Sequence, residues 1–189
     1  MTKLEAALLD LSTFLDESRI PYMVIGGFAN LFWGVERFTK DIDITVGVPA
    51  DGLSDLLGRL RARFTLTVPD PEAFARRNHL IRLRTGSGVE ADLIMAVLPY
   101  EFAAIGRAVA VEVGGRPVRV CSPEDLIIHK LASDRPQDAV DVEGIVLRQA
   151  AKLDRTYLWP RVRELATGLD RPTIVEFLEA ALRKADARA

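Results

Sequence analysis

The chain has 189 residues, 49% of them hydrophobic and 28% charged, with a formal charge of −2 at pH 7. A globular chain of that size buries roughly 70% of its unfolded surface, which excludes reliance on a disulfide or a structural metal for folding. The single cysteine, Cys121, excludes an internal bridge, two histidines are too few for a zinc cluster, and the net charge excludes a global attraction to nucleic acid.

Leu4, Leu8, Leu11 and Leu15 recur at helical spacing and predict an amphipathic helix over residues 3–18. Acidic residues within it, and no small-residue cleavage site, distinguish it from a signal peptide, and a reducing cytoplasm is the simplest compartment for the chain. Tyr22 to Ile25 reads as a short buried strand, broken by Gly26-Gly27 ahead of a helix over residues 28–33. The uncharged stretch 20–35 is too short and too interrupted to span a bilayer, so no membrane association is expected. After a polar loop at 35–40, Ile42, Ile44 and Val46 alternate with Asp41, Asp43 and Thr45, the period of a strand with two different faces. Pro49 and Asp51 open a helix through Leu60. Strands are expected at 64–68, 80–84, 89–94, 109–113 and 117–120, with Gly114-Gly115 as a hairpin turn between the last two. Ser122-Pro123-Glu124-Asp125 is a helix start, and beyond it the chain reads as helices broken at Pro136, Gly168 and Pro172. The plan is α+β, with a core over residues 1–120 and a helical C-terminal domain over 121–189.

The segment from Tyr22 to Ile44 carries the chemistry. A strand ends at two glycines where a helix starts, and glycine backbone beside helix amides suits a phosphate. Thirteen residues later Asp41 and Asp43 share one strand face. Paired carboxylates repel unless a cation lies between them, and magnesium takes such oxygen ligands together with substrate phosphates. Asp92, in the alternating strand Val89 to Ile94, adds a third acid if that strand neighbours the first. Two metal ions about 4 Å apart could then activate a hydroxyl and stabilise a leaving pyrophosphate.

Gly26-Gly27, the spacer and Asp41-Ile42-Asp43-Ile44 resemble the signature of the DNA polymerase β-like nucleotidyltransferase superfamily. The resemblance implies a core with a mixed β-sheet flanked by helices, and transfer of a nucleoside monophosphate from a nucleoside triphosphate to an acceptor hydroxyl. It further implies that Asp41, Asp43 and Asp92 are catalytic and hold two magnesium ions, and that Gly26 and Gly27 hold the triphosphate. Position 27 is glycine where the family often has serine, so only backbone amides serve there. Arg37-Phe-Thr-Lys-Asp-Ile-Asp43 is similar to the R-x-T-x-D-I-D form of the minimal bacterial and archaeal branch, which adds Arg37 and Thr39 as nucleotide contacts. The segment Glu124 to Asp141 is similar to the C-terminal motif of AbiEii-type toxins, implying a triphosphate contact at Lys130 and a secondary site residue at Asp138.

That likeness implies a toxin with a cognate antitoxin as partner and a tRNA end or another macromolecule as acceptor. A weaker likeness to aminoglycoside and lincosamide nucleotidyltransferases supports a small antibiotic as the alternative acceptor, and an idle nucleotide-binding module is a third reading. A basic stripe near Arg148, Lys152 and Arg155 would favour RNA, whereas acidic acceptor-facing residues would favour a cationic drug.

Overall fold

A computed structural model describes residues 1–188, with Ala50 described in its backbone only. The architecture is α+β, a seven-stranded mixed sheet with nine α-helices among the described residues. The chain separates into two compact units, one made of residues 1–28 and 38–121, the other of 29–37 and 122–189. Residues 29–37 group with the C-terminal helices.

The first unit opens with α1 (Lys3–Glu17), whose start is fixed by a reciprocal cap between Thr2 and Glu5. Next come β1 (Tyr22–Ile25), the first turn of α2 (Gly26–Trp33), β2 (Ile42–Val46), and α3 (Leu53–Arg61) after a single 3-10 turn. The rest of the unit is β3 (Thr65–Leu66), α4 (Pro71–Asn78), β4 (Leu80–Arg84), β5 (Glu90–Met95), α5 (Pro99–Gly106), β6 (Val109–Val113) and β7 (Arg116–Val120). The strands lie in the order β3-β4-β5-β2-β1-β7-β6. β2 runs parallel to β5 and antiparallel to β1, and β4 runs antiparallel to β5.

Register decides which side chains share a face. Ile81, Leu93, Ile44 and Val24 align across four strands and are almost wholly buried. The next row, one residue along each strand and therefore on the opposite face, is Arg82, Asp92, Asp43 and Ile25. One set of alternating residues thus makes core, and the other sets Arg82, Asp92 and Asp43 side by side before ending on the buried Ile25.

The second unit contains the remainder of α2 and four further helices, α6 (Pro123–Leu131), α7 (Pro136–Gln149), α8 (Arg155–Gly168) and α9 (Thr173–Asp186). Ser122 caps α6 by accepting from the Asp125 amide. Its core is built from Leu126, Ile127, Val142, Ile145, Leu158, Val162 and Leu178, all essentially inaccessible. No helix among the described residues is long and apolar enough to cross a membrane.

Candidate active site

Within the first unit, the structure brings together Gly26, Asp43 and Asp92, with Asp41 close by. Asp43 and Asp92 face each other in register on parallel neighbours β2 and β5, so their side chains project from the same face. Asp41 sits just before β2 and raises the Asp92 pKa through its charge, which places it within electrostatic reach. Burial is the largest cause of that elevation, and Glu90 adds to it, while Arg82 opposes it. Arg82 Nε stands 3.6 Å from Asp92 Oδ1, and its guanidinium lies 5.8 Å from the Phe74 ring centroid. Nothing in the sequence pattern singled out Arg82; its position across from Asp92 is visible only once the β4–β5 register is known.

Gly26 earns its identity from two constraints. Its φ is +66°, and a Cβ there would collide with Asp43 Oδ2 and lie 3.0 Å from Asp43 Cγ. The carboxylate is therefore seated directly against the backbone where α2 starts. Gly26→Ala is expected to cost roughly 2 kcal/mol or more from strain and overlap together, and to lower any transfer activity at least about 100-fold by displacing Asp43. Thermal unfolding and steady-state kinetics on the purified variant check both numbers.

Thr39 Oγ1 lies within donating distance of Asp41 Oδ1, at 3.3 Å, and of the Asp41 carbonyl, at 3.4 Å. Gly27 occupies the first turn of α2. Among the described residues, no three His, Cys, Asp or Glu side chains form a ready-made metal cage. The donor set still fits magnesium chemically, because that ion keeps several waters and needs only one or two carboxylates beside substrate phosphates. Asp43 and Asp92 could supply these, with Asp41 adjacent.

Arg37, Lys130 and Asp138 belong to the second unit. Lys130 was expected to contact a triphosphate. Its ammonium instead donates to Asp138 Oδ1 at 2.9 Å and Asp141 Oδ2 at 2.5 Å, and its side chain is 4% exposed. Asp138, expected as a secondary site residue, is equally buried and also accepts from Arg135 at 2.7 Å. The ammonium and the two carboxylates form one buried ion cluster, joined at its edge by Arg135 and Arg37. Arg37 reaches the same cluster, donating from Nε and a terminal nitrogen to Asp141 at 2.8 Å each. Against the burial that raises it, the bonds from Arg37, Lys130 and Gln137 hold the Asp141 carboxyl at about 2. Bonds from Lys130, Ser133 and Arg135 likewise lower Asp138.

Arg148 donates to the Gly34 carbonyl and Arg155 is bidentate to Asp186, so of the trio Arg148, Lys152 and Arg155 two are committed locally.

A family model described as "Nucleotidyltransferase of unknown function (DUF6036)" matches residues 1–167. No functionally curated protein matches the chain. Among solved structures, the fold is similar to an antigenic nucleotidyltransferase-like protein from Paracoccidioides brasiliensis, with 20% identity, a TM-score of 0.54, and 94% of this chain and 93% of that one covered. It is also similar to the antibiotic-resistance factor ANT(2'')-Ia, at 17% identity and a TM-score of 0.50, covering 97% and 94% of the two chains. The lincosamide antibiotic adenylyltransferase LnuA, solved with lincomycin, aligns at 15% identity and a TM-score of 0.50, over 77% of this chain and 96% of that one.

Proposed function

The chain belongs to this nucleotidyltransferase family, and on that premise we propose that it transfers a nucleoside monophosphate from a magnesium–nucleoside triphosphate to an acceptor hydroxyl. The observation that carries the reading is the in-register pair Asp43 and Asp92 on one face, with Gly26 backbone pressed against Asp43. Asp43 and Asp92 would hold magnesium, with Asp41 completing the acidic group. Bound magnesium supplies charge neutralisation of the triphosphate and of the departing pyrophosphate. The residues of the chain do the remainder. Gly26 and Gly27 let the triphosphate approach the backbone at the start of α2. Thr39 holds Asp41 in orientation. The acceptor oxygen bonds to the α-phosphorus as the bond from that phosphorus to the pyrophosphate oxygen breaks, and the hydroxyl proton passes to Asp92.

For the acceptor, we favour a tRNA end or another macromolecule, as the likeness to AbiEii-type toxins implies, with an antitoxin as binding partner. Support comes from Arg82, a half-exposed cation 3.6 Å from Asp92 at the end of the acidic row. A cation there attracts a polynucleotide phosphate and repels a cationic aminoglycoside. The small-antibiotic reading draws on the fold likeness to ANT(2'')-Ia and LnuA.

The test is incubation of the protein with each α-labelled nucleoside triphosphate and magnesium, in the presence of total RNA, and separately with a panel of aminoglycosides and lincosamides. Label is expected in RNA, is expected to vanish with a chelator, and is expected to be absent with Asp41→Asn. Label on a drug alone would transfer the case to the resistance-type reading. Calorimetric nucleotide binding without turnover on any acceptor would support an idle module.

A further inference from the structure

Within the first unit, the row that holds the acids has a backbone cradle at one end and a cation at the other. Gly26, directly after β1, lies against Asp43 on β2; Asp92 follows on β5, and Arg82 ends the row on β4. Neighbouring strands are about 4.8 Å apart, so roughly 10 Å separates Asp43 from Arg82. The Arg82 end is built from flat and cationic groups. Its guanidinium lies 5.8 Å from the centroid of the Phe74 ring, which α4 presents. The pair of Arg82 with Asp92 is a single contact at 3.6 Å between partly exposed side chains, weak enough for a phosphate to compete for the cation. Phe74, Arg77 and Asn78, three and four residues apart, share one flank of α4 beside the buried Pro71 and Ala75. With Val68 and Pro69 they line an open hollow of about 500 Å³. Asp70, the one acid of that lining, is engaged by the Ala73 amide. From Phe74 to Arg84 the chain carries four arginines and no acid. Arg76 and Arg84 are paired at the surface with Glu72 and Glu90, whereas Arg82 meets the ring and Arg77 shares its hollow.

We propose that Arg82, Phe74 and Arg77 form a platform for the unpaired end of a polynucleotide acceptor, with phosphates on the arginines and a base stacked on the ring. The acceptor role rests on the nucleotidyl-transfer reading; the binding itself does not. With the triphosphate at Gly26 and Gly27, the pyrophosphate departs toward that end of the row. Attacking and leaving oxygens lie roughly in line at phosphorus, so the acceptor comes from the opposite end, where Arg82 stands. A duplex keeps its base faces stacked inside, whereas a single strand can lay them on a phenyl ring or a guanidinium plane. The platform therefore selects unpaired nucleic acid. Stacking offers every base the same flat surface, so binding is indifferent to sequence.

The experiment takes the full-length protein with Phe74→Leu and, separately, Arg77→Gln, neither of which alters an acid of the row. Binding of a fluorescein-labelled oligoribonucleotide of about 12 residues is followed by anisotropy, with magnesium and without nucleotide. Salt is varied from about 50 to 200 mM, and the same strand annealed to its complement is the comparison. Leucine keeps the apolar bulk and loses the flat ring, so Phe74→Leu should weaken single-strand binding at least about fivefold. Arg77→Gln should weaken it too, and should lower the slope of log affinity against log salt by about 0.7, the value for one phosphate contact on a single strand. The duplex should bind more weakly than the single strand and respond little to Phe74→Leu. In transfer to RNA, both variants should raise the acceptor KM at least about fivefold and leave nucleotide KM within about twofold. Arg77→Gln changes an exposed side chain, so it decides the matter should Phe74→Leu fail to fold. Single-strand binding unchanged by the variants, or equal affinity for the duplex, overturns the proposal. RNA labelling with wild-type acceptor KM in both variants would sink the platform and spare the nucleotidyl-transfer reading. Binding that the variants weaken, in a protein that transfers nothing, would do the reverse.

Discussion

Asp43→Asn and Asp92→Asn should each reduce nucleotidyl transfer by about 10³-fold or more, and Asp92→Asn should leave the thermal midpoint unchanged or higher. The first half follows from the charge that the acids are proposed to manage. Neutralising a transferring phosphoryl group is worth several kcal/mol, and each 1.36 kcal/mol lost from the barrier is tenfold in rate. The second half follows from the site's electrostatics. Burial, Asp41 and Glu90 all raise the Asp92 pKa above its ordinary value of 3.8, with Arg82 in opposition. A carboxyl whose folded pKa is raised prefers its protonated form in the fold. Its ionisation therefore takes stability away as pH rises through that value, and the penalty is fully present at pH 7. Asparagine keeps the shape without the charge, so it relieves the penalty. Activity lost together with stability gained marks groups held for chemistry. Circular dichroism melts paired with labelled-nucleotide turnover measure both. A lowered midpoint in Asp92→Asn, with activity falling only in proportion to the folded fraction, would show that this acid serves the fold alone.

The sequence disclosed the acidic row because its signal is strictly local. Alternation at 41–46 and at 89–94 puts Asp43 and Asp92 each on a definite face, and the structure aligns those faces through β2 and β5. Strand β1 and helix α1 were equally legible, the one from an apolar run and the other from a leucine stripe. Helices α4 and α5 were passed over. Yet α4 has an Asp70 cap, Pro71 at its first position and two arginines in its last turn, so the signal existed and was hidden between strands. The strand expected at 64–68 contracts to Thr65–Leu66, at the edge of the sheet, where only one neighbour stabilises it.

What could not be read was tertiary pairing. Lys130 looks identical in sequence whether it meets a phosphate or two aspartates, and the distinction lies in how α6 packs on α7. The allegiance of residues 29–37 is of the same kind. It depends on a close approach at Gly144 and on the Arg37–Asp141 pair, whose members lie 104 positions apart.

Lys130→Met should cost about 3–5 kcal/mol at pH 7, the usual penalty for stripping one partner from a buried ion cluster. For a chain of this length that corresponds to a fall of roughly 10 °C in the thermal midpoint. Methionine fills the volume, so the loss is electrostatic: Asp138 and Asp141, both 2% exposed, would remain buried with their central cation gone. The pH dependence gives the sign. In the wild-type protein both carboxyls are held below 3.8, Asp141 at about 2. Their stabilising contribution is therefore complete above about pH 4 and is lost as pH falls through the folded values. In the variant the remaining bonds from Arg135 and Arg37 oppose the same burial less effectively, and protonation becomes a relief. The gap in midpoint between the two proteins should accordingly be widest near neutrality and narrow as pH falls from 4 toward 2. Adding Asp138→Asn to Lys130→Met should recover part of the loss at pH 7, because it removes one of the stranded charges. A phosphate-binding lysine behaves in the opposite manner: its loss would spare the midpoint and raise nucleotide KM. Scanning calorimetry across that pH range, with nucleotide titrations on the same samples, separates a cation that holds α6 to α7 from one that meets substrate.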